Sequence, residues 1–172
     1  LRKVGMEVGP TPELKAWREF LALKRSATET VKIGLVGKYV ELQDAYKSID
    51  ASLLQAAIYN HHKLDLHLFH SEKLNDQNVA EQLQDMDGIL IAPGFGQRGI
   101  EGKFAALKYA REHDVPCLGI CLGMQCMVIE FARDVLGLAD ANSTEMQPNT
   151  KHKVIDLMAD QKNVTNMGGS MR

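Results

Sequence analysis

At 172 residues, 45% of them hydrophobic and 24% charged, the chain has material for one domain with a real core and little left for a second. A formal net charge of −2 argues against the broad basic surface that nucleic acid or an anionic membrane would require. No apolar run approaches the ~18–20 residues that span a bilayer, and the polar, proline-broken opening LRKVGMEVGPTPELKAW does not read as a signal peptide.

Residues 1–29 read as an interdomain linker or helix, and the folded domain is expected over 30–172. A start at Leu1 rather than Met suggests part of a longer product. After Gly9, Pro10 and Pro12, the residues Leu14, Trp17, Phe20 and Leu21 recur at helical spacing. That helix either packs on the domain or reaches towards a neighbour. From Val31, VKIGLVG is a short apolar run ending in glycine, a buried strand. Residues 44–60 follow as a helix with Tyr46, Ile49, Leu53, Ala56 and Ala57 on one face. LDLHLFH alternates by two as a second strand, and residues 79–83 give a brief helix. DGILIAPG is a third strand, 102–113 a helix, PCLGIC a fourth strand and 122–136 a helix. Beyond Gly137 only KHKVIDLM, at 151–158, reads as a strand. Strands alternating with helices predict an α/β fold: an open, mainly parallel sheet with helices on both faces. Ligands of such sheets sit at the carboxyl ends of the strands.

The loops at those ends carry the chemistry. Gly119-Ile120-Cys121-Leu122-Gly123 lies between an apolar strand and a helical run, the setting of a nucleophile elbow with cysteine as nucleophile. Small residues two positions on either side relieve a tight turn. Cys121 falls at a helix N-terminus, where the dipole favours thiolate, and the Leu122 N–H points where an oxyanion would form. A buried structural cysteine beside a glycine turn is the bland alternative. Cys117 lies within the strand and Cys126 about 140° round the helix from Cys121, both read as packing residues. The odd cysteine count fits free thiols in a reducing compartment, expected to be the cytoplasm. Cysteine spacings of four and five residues match no common zinc pattern, so no metal is expected. Pro93-Gly94-Phe95-Gly96 ends the third strand and could offer a second oxyanion donor, or be an ordinary glycine turn. Gly37-Lys38 is not a phosphate loop, because Tyr39 follows the lysine.

Five segments together resemble one family. GKYVELQDAYKS (37–48), PGFGQRGIEGK (93–103), GICLGMQ (119–125), ANSTE (141–145) and the closing GGSMR are similar, in order and spacing, to the C-terminal class I glutamine amidotransferase domain of the CTP synthase family. The resemblance implies that Cys121 attacks the side-chain amide of L-glutamine. It makes Gly94 and Leu122 the oxyanion hole, and Gly94, Leu122, Gly123, Met124, Gln125 and Glu145 glutamine-binding residues. Lys47, Arg98, Glu101 and Arg172 are expected to serve effector binding or interdomain coupling, with GTP as the effector. The partners implied are an N-terminal synthetase domain on the same chain and a homotetramer of the full enzyme. No cofactor is expected in this domain; Mg²⁺ and ATP belong to the synthetase domain, which would aminate UTP to CTP with ammonia from glutamine.

Two departures stand out. Pro93 replaces a glycine of the family's P-G-G-F-G, and a proline there has no N–H to donate. The family's catalytic His and Glu lie beyond the segment matching GGSMR, so the domain reads as incomplete and inactive alone. His61, His62, His67, His70, His113 and His152 all fall outside the triad position. The rival readings are another elbow-cysteine α/β hydrolase, peptidase-like or deglycase-like, and a catalytically silent regulatory or docking domain. The first shares Cys121 but has no use for Gln125 and Glu145.

Overall fold

The computed structural model describes residues 2–7, 9–10, 12–42 and 44–158. The chain divides into two compact units, Leu1–Val31 with Ser48–Asp65, and Lys32–Lys47 with Leu66–Arg172. GGSMR, with Arg172, lies outside the described residues.

In the first unit, α1 (Lys15–Ser26) has its first amide held by Glu13 Oε1 at 2.8 Å. Lys24 and Arg25 close it, suiting the negative end of the helix dipole. The helical spacing of its aromatics places Trp17 on Phe20, with ring centroids 5.5 Å apart, and Phe20 against Tyr59 of α2 (Lys47–Tyr59) at 5.9 Å. This α2 begins at Lys47 rather than at Asp44, where the periodicity starts. Residues 44–46 turn instead, with Ala45 N donating to Leu42 O at 3.0 Å. Tyr46, expected on the apolar face of the helix, is buried in the second unit, its hydroxyl 3.3 Å from the Tyr39 amide.

A four-stranded sheet has the order β2-β1-β3-β4, from β1 (Glu29–Gly37), β2 (His62–His70), β3 (Gly88–Ile91) and β4 (Cys117–Gly119). β1 runs parallel to β3, with Ile33 opposite Gly88 and Val36 opposite Ile91. β3 runs parallel to β4, with Ile89 opposite Cys117 and Ile91 opposite Gly119. GILI is buried along its whole length, as an inner parallel strand must be. The core is continuous around it, with Val36, Leu83, Ile91, Ala106, Cys126 and Ile129 sealed from solvent.

α3 (Val79–Leu83) packs on α4 (Ile100–Glu112), and α4 and α5 (Leu122–Asp134) pack on each other and on β3 and β4. Glu130 of α5 is buried against α4 and would be costly there alone. Arg111 pairs with its Oε1 through Nε at 3.0 Å and Nη2 at 2.7 Å. The α/β class with a parallel sheet is thus as the sequence predicts. ANSTE, read as loop, instead contributes β5 (Asn142–Ser143), parallel to β6 (Lys153–Ile155). Two residues are too few to leave a periodic signal. Their pairing rests on Asn142 N donating to His152 O and Thr144 N to Ile155 O, both at 3.0 Å. No helix among the described residues is long and apolar enough to cross a membrane.

The strand order reverses between β1 and β3, and sheets of this kind bind ligands at the carboxyl ends of such strands. Lys38 follows β1, Ala92–Gly99 follows β3, and Ile120-Cys121 follows β4.

Candidate active site

β4 ends at Gly119 and α5 starts at Leu122, which leaves Ile120 and Cys121 to make the whole turn. Cys121 caps the helix at φ +53° and ψ −110°. A non-glycine residue in so sparse a region costs on the order of 1–3 kcal/mol and persists only where its surroundings enforce it. Here the enforcement is visible. Ile120 N donates to Ile91 O at 3.1 Å, Gly123 N to Ile120 O at 2.8 Å and Gln125 N to Cys121 O at 3.1 Å. The flanking glycines permit the approach: a Cβ on Gly123 would lie 2.2 Å from Ile91 O, and one on Gly119 would lie 2.6 Å from Gly123 C. The elbow is pressed onto the end of β3, and the Cys121 side chain is left exposed. Leu122 occupies the first turn of α5, where backbone N–H groups have no acceptor within the helix.

The other thiols are chemically separated from this one. Burial, reinforced by Glu130, pushes Cys117 up to about 11. Burial also pushes Cys126 up to about 11, although Lys103 and Arg133 pull it down. At neutral pH both are protonated packing groups.

The loop after β3 reaches the head of α5 at Leu122. Ala92 is buried and its amide continues the sheet, donating to Val36 O at 2.9 Å. A Cβ on Gly94 would lie 3.8 Å from Leu122 Cδ2 and 3.3 Å from Lys38 Cε, so Gly94 lies beside the Leu122 side chain. Pro93 beside them donates nothing. Lys38 Nζ donates to Phe95 O, and Lys103 Nζ donates to Ala92 O at 2.7 Å. Farther along, Gln97 Nε2 donates to Met146 O at 2.5 Å. This bond ties the loop to the turn that carries Glu145.

Of the expected glutamine-binding residues, Gly123 is buried against Ile91 and Met124 is exposed. Gln125 lies one turn along α5 from Cys121, and its buried Oε1 has no hydrogen-bond partner among the described residues. Such an acceptor is unusual in a folded chain and suits a ligand donor. Glu145 is exposed, its amide donating to Ser143 Oγ at 3.2 Å, while the adjacent Met146 joins the core. Of the four effector candidates, three lie among the described residues. Lys47 pairs locally with Asp44 at 3.3 Å. Arg98 pairs with Glu72 at 3.3 Å and sits 5.5 Å over the Tyr39 ring. Glu101 is exposed in the first turn of α4, and Arg172 falls outside the described residues.

Histidines of the same unit are engaged elsewhere. His70 lies 3.8 Å from Glu72, His113 bonds Tyr109 O at 3.0 Å, His67 stacks on Phe69, and His152 bonds Asp140. None of these contacts includes Cys121. Among the described residues no group of three or more His, Cys, Asp or Glu side chains is placed to hold a metal.

Lys38, Gln97 and Lys103 are the residues at this site that the sequence reading did not assign. Lys103 leaves one trace, a lysine set between Gly102 and Phe104 in the helical run 102–113. Lys38 and Gln97 leave none, since their partners lie 57 and 49 residues away along the chain.

Residues 41–172 match the family model described as glutamine amidotransferase class-I. Over 172 residues the chain is 71% identical to a CTP synthase of Porphyromonas gingivalis and 62% identical to one of Bacteroides fragilis. In both cases the match covers 100% of this chain and 32% of the relative, so the chain spans about a third of the length of the curated relatives it matches. Among solved structures it resembles the glutaminase domain of Trypanosoma brucei CTPS with bound acivicin. The TM-score is 0.73 and the identity 38%, over 83% of this chain and 55% of that one.

Proposed function

This chain belongs to the class I glutamine amidotransferase family, and on that premise we propose that it works as the glutamine-hydrolysing domain of a CTP synthase. The Cys121 thiolate attacks the side-chain amide carbon of glutamine. Negative charge develops on the amide oxygen, and the N–H groups of Leu122 and Gly94 receive it. Collapse expels ammonia and leaves a thioester on Cys121, which water hydrolyses to glutamate. The unpartnered Gln125 Oε1 and the Glu145 carboxylate hold the amino acid, Glu145 through a charge-assisted bond to its ammonium. Ammonia then serves the ATP-dependent amination of UTP in a synthetase domain of the same polypeptide, where Mg²⁺ and the nucleotides bind. GTP stimulation and a homotetramer belong to that larger assembly, and its free thiols suit a reducing cytoplasm.

The observation that carries this reading is the strained, exposed Cys121 at the head of α5, next to Leu122, which the glycine loop reaches. Proton transfer to departing ammonia and from attacking water needs a base, and the contacts of His70, His113 and His152 lie elsewhere. The chain alone is therefore a poor glutaminase on this reading. A diazo-ketone analogue of glutamine tests the assignment directly. Mass spectrometry should find the adduct on Cys121; modification chiefly of Cys117 or Cys126 would overturn it.

A further inference from the structure

Lys38 and Lys103 are buried, 6% and 0% exposed, and the chemistry above uses neither. An amino group taken out of water is expensive unless hydrogen-bonded. Both satisfy that need on the same loop. Lys103 reaches up from α4 to Ala92 O at 2.7 Å, and Lys38 reaches across from the end of β1 to Phe95 O. The two carbonyls bracket Pro93-Gly94. Each lysine selects a main-chain oxygen and comes from a separate element, so the loop is held at both ends.

The clamp lies within electrostatic range of the nucleophile. Burial pulls the Lys103 amino group below the usual lysine range; the thiol of Cys126 opposes this, Lys38 adds to it, and the thiol of Cys121 opposes it. Lys38 also touches the space beside Gly94, its Cε 3.3 Å from where a Cβ would stand. Pro93 makes this position matter more, because it leaves Gly94 as the only N–H donor of the 93–94 pair. An oxyanion donor has to sit about 2.7–3.1 Å from the developing charge. A loop with glycines at 94 and 96 has no intrinsic means of holding such a distance.

We propose that Lys38 and Lys103 are positioning residues that clamp the Ala92–Phe95 loop and so fix the Gly94 N–H for the tetrahedral intermediate at Cys121. The proposal rests on the glutaminase reading, and it assigns the two lysines no contact with substrate. It carries a kinetic signature. A donor needed only when the oxyanion forms affects kcat and leaves ground-state binding alone.

The test compares Lys38→Met and Lys103→Met with the unmodified sequence, each in a polypeptide of the full length of the curated relatives. Methionine keeps most of the apolar stem and removes the amino group. Complete loss of an oxyanion donor costs roughly 10²–10³ in kcat, so a displaced donor should cost about 10–100-fold, with KM for glutamine within about twofold. Alkylation of Cys121 by iodoacetamide is direct displacement and forms no oxyanion, so its rate should stay within about twofold. Unchanged kcat in both variants overturns the clamp. So does a rise in KM at constant kcat, which would place the loop in binding, or parallel loss of kcat and alkylation, which would mean a collapsed elbow. Should Lys103→Met fail to fold, Lys38→Met decides alone, since it holds the other carbonyl from another element. An unmodified protein inert towards glutamine refutes the glutaminase reading, a result distinct from activity that ignores the lysines.

Discussion

At the scale of single residues, Cys121 is set apart from Cys117 and Cys126 by exposure. A thiol pushed up to about 11 is thiolate to about one part in a thousand at pH 8. Iodoacetamide at pH 8 should therefore label Cys121 at least tenfold faster than either neighbour, read by peptide mass spectrometry; equal labelling would mean the core opens on that timescale. The same burial links stability to pH. Folding keeps both thiols protonated to about 11 against an ordinary 9.0, so their contribution is intact below pH 9 and is lost as pH rises through 11. Denaturation midpoints should fall between pH 9 and 11, less steeply in Cys126→Ala, and a flat profile would remove burial as the cause. Glu145 is the subtler residue, exposed in a turn that Gln97 ties to the loop after β3. A charge-assisted bond to the substrate ammonium contributes about 1.5–3 kcal/mol, or ~10–150-fold in affinity. In a polypeptide of the relatives' length, Glu145→Gln should weaken glutamine-dependent CTP formation by that factor and spare synthesis from free ammonia. Equal loss of both would give Glu145 a structural role instead.

At the scale of elements, the elbow depends on how closely α5 seats on β3. Gly123→Ala would push a methyl to 2.2 Å from Ile91 O, and backbone on both sides leaves no flexible end to yield. Overpacking of this kind costs about 1–3 kcal/mol, roughly 2–12 °C in Tm for a chain of this size. The turn should relax as well, so Cys121 labelling by the diazo-ketone should fall more than labelling by iodoacetamide. An unchanged Tm would show that the seating tolerates a methyl. This element was legible in the sequence because its signal is local: apolar strand, glycine, cysteine, glycine and helix within a few residues. The parallel sheet was legible for the same reason, through GILI and VKIGLVG. What stayed hidden is non-local. The Lys38 and Lys103 bonds join distant elements, β5 is a two-residue pairing, and α2 starts late because Tyr46 turns inward to the Tyr39 amide.

At the scale of the whole molecule, the described residues hold an exposed cysteine at the head of α5, a glycine loop that reaches Leu122, and an unpartnered acceptor on Gln125. On the glutaminase reading these parts divide the reaction. Thiolate formation and attack on an activated electrophile need only Cys121 and its helix. Turnover of glutamine needs in addition a group that protonates departing ammonia and deprotonates the water that opens the thioester. Positioned acid–base help of this kind is worth about 10²–10⁴ in rate. This chain should accordingly take up the diazo-ketone on Cys121 yet hydrolyse glutamine 10²–10⁴-fold more slowly, by about those factors, than a polypeptide of the relatives' full length. Both quantities are measured on the same preparations, labelling by mass and hydrolysis by glutamate release. If hydrolysis is equal, one of the histidines here reaches Cys121 in solution, and single His→Ala substitutions at 67, 70, 113 and 152 would identify it. If labelling is lost along with hydrolysis, the elbow itself needs the longer chain, and the division between nucleophile and proton shuttle is wrong.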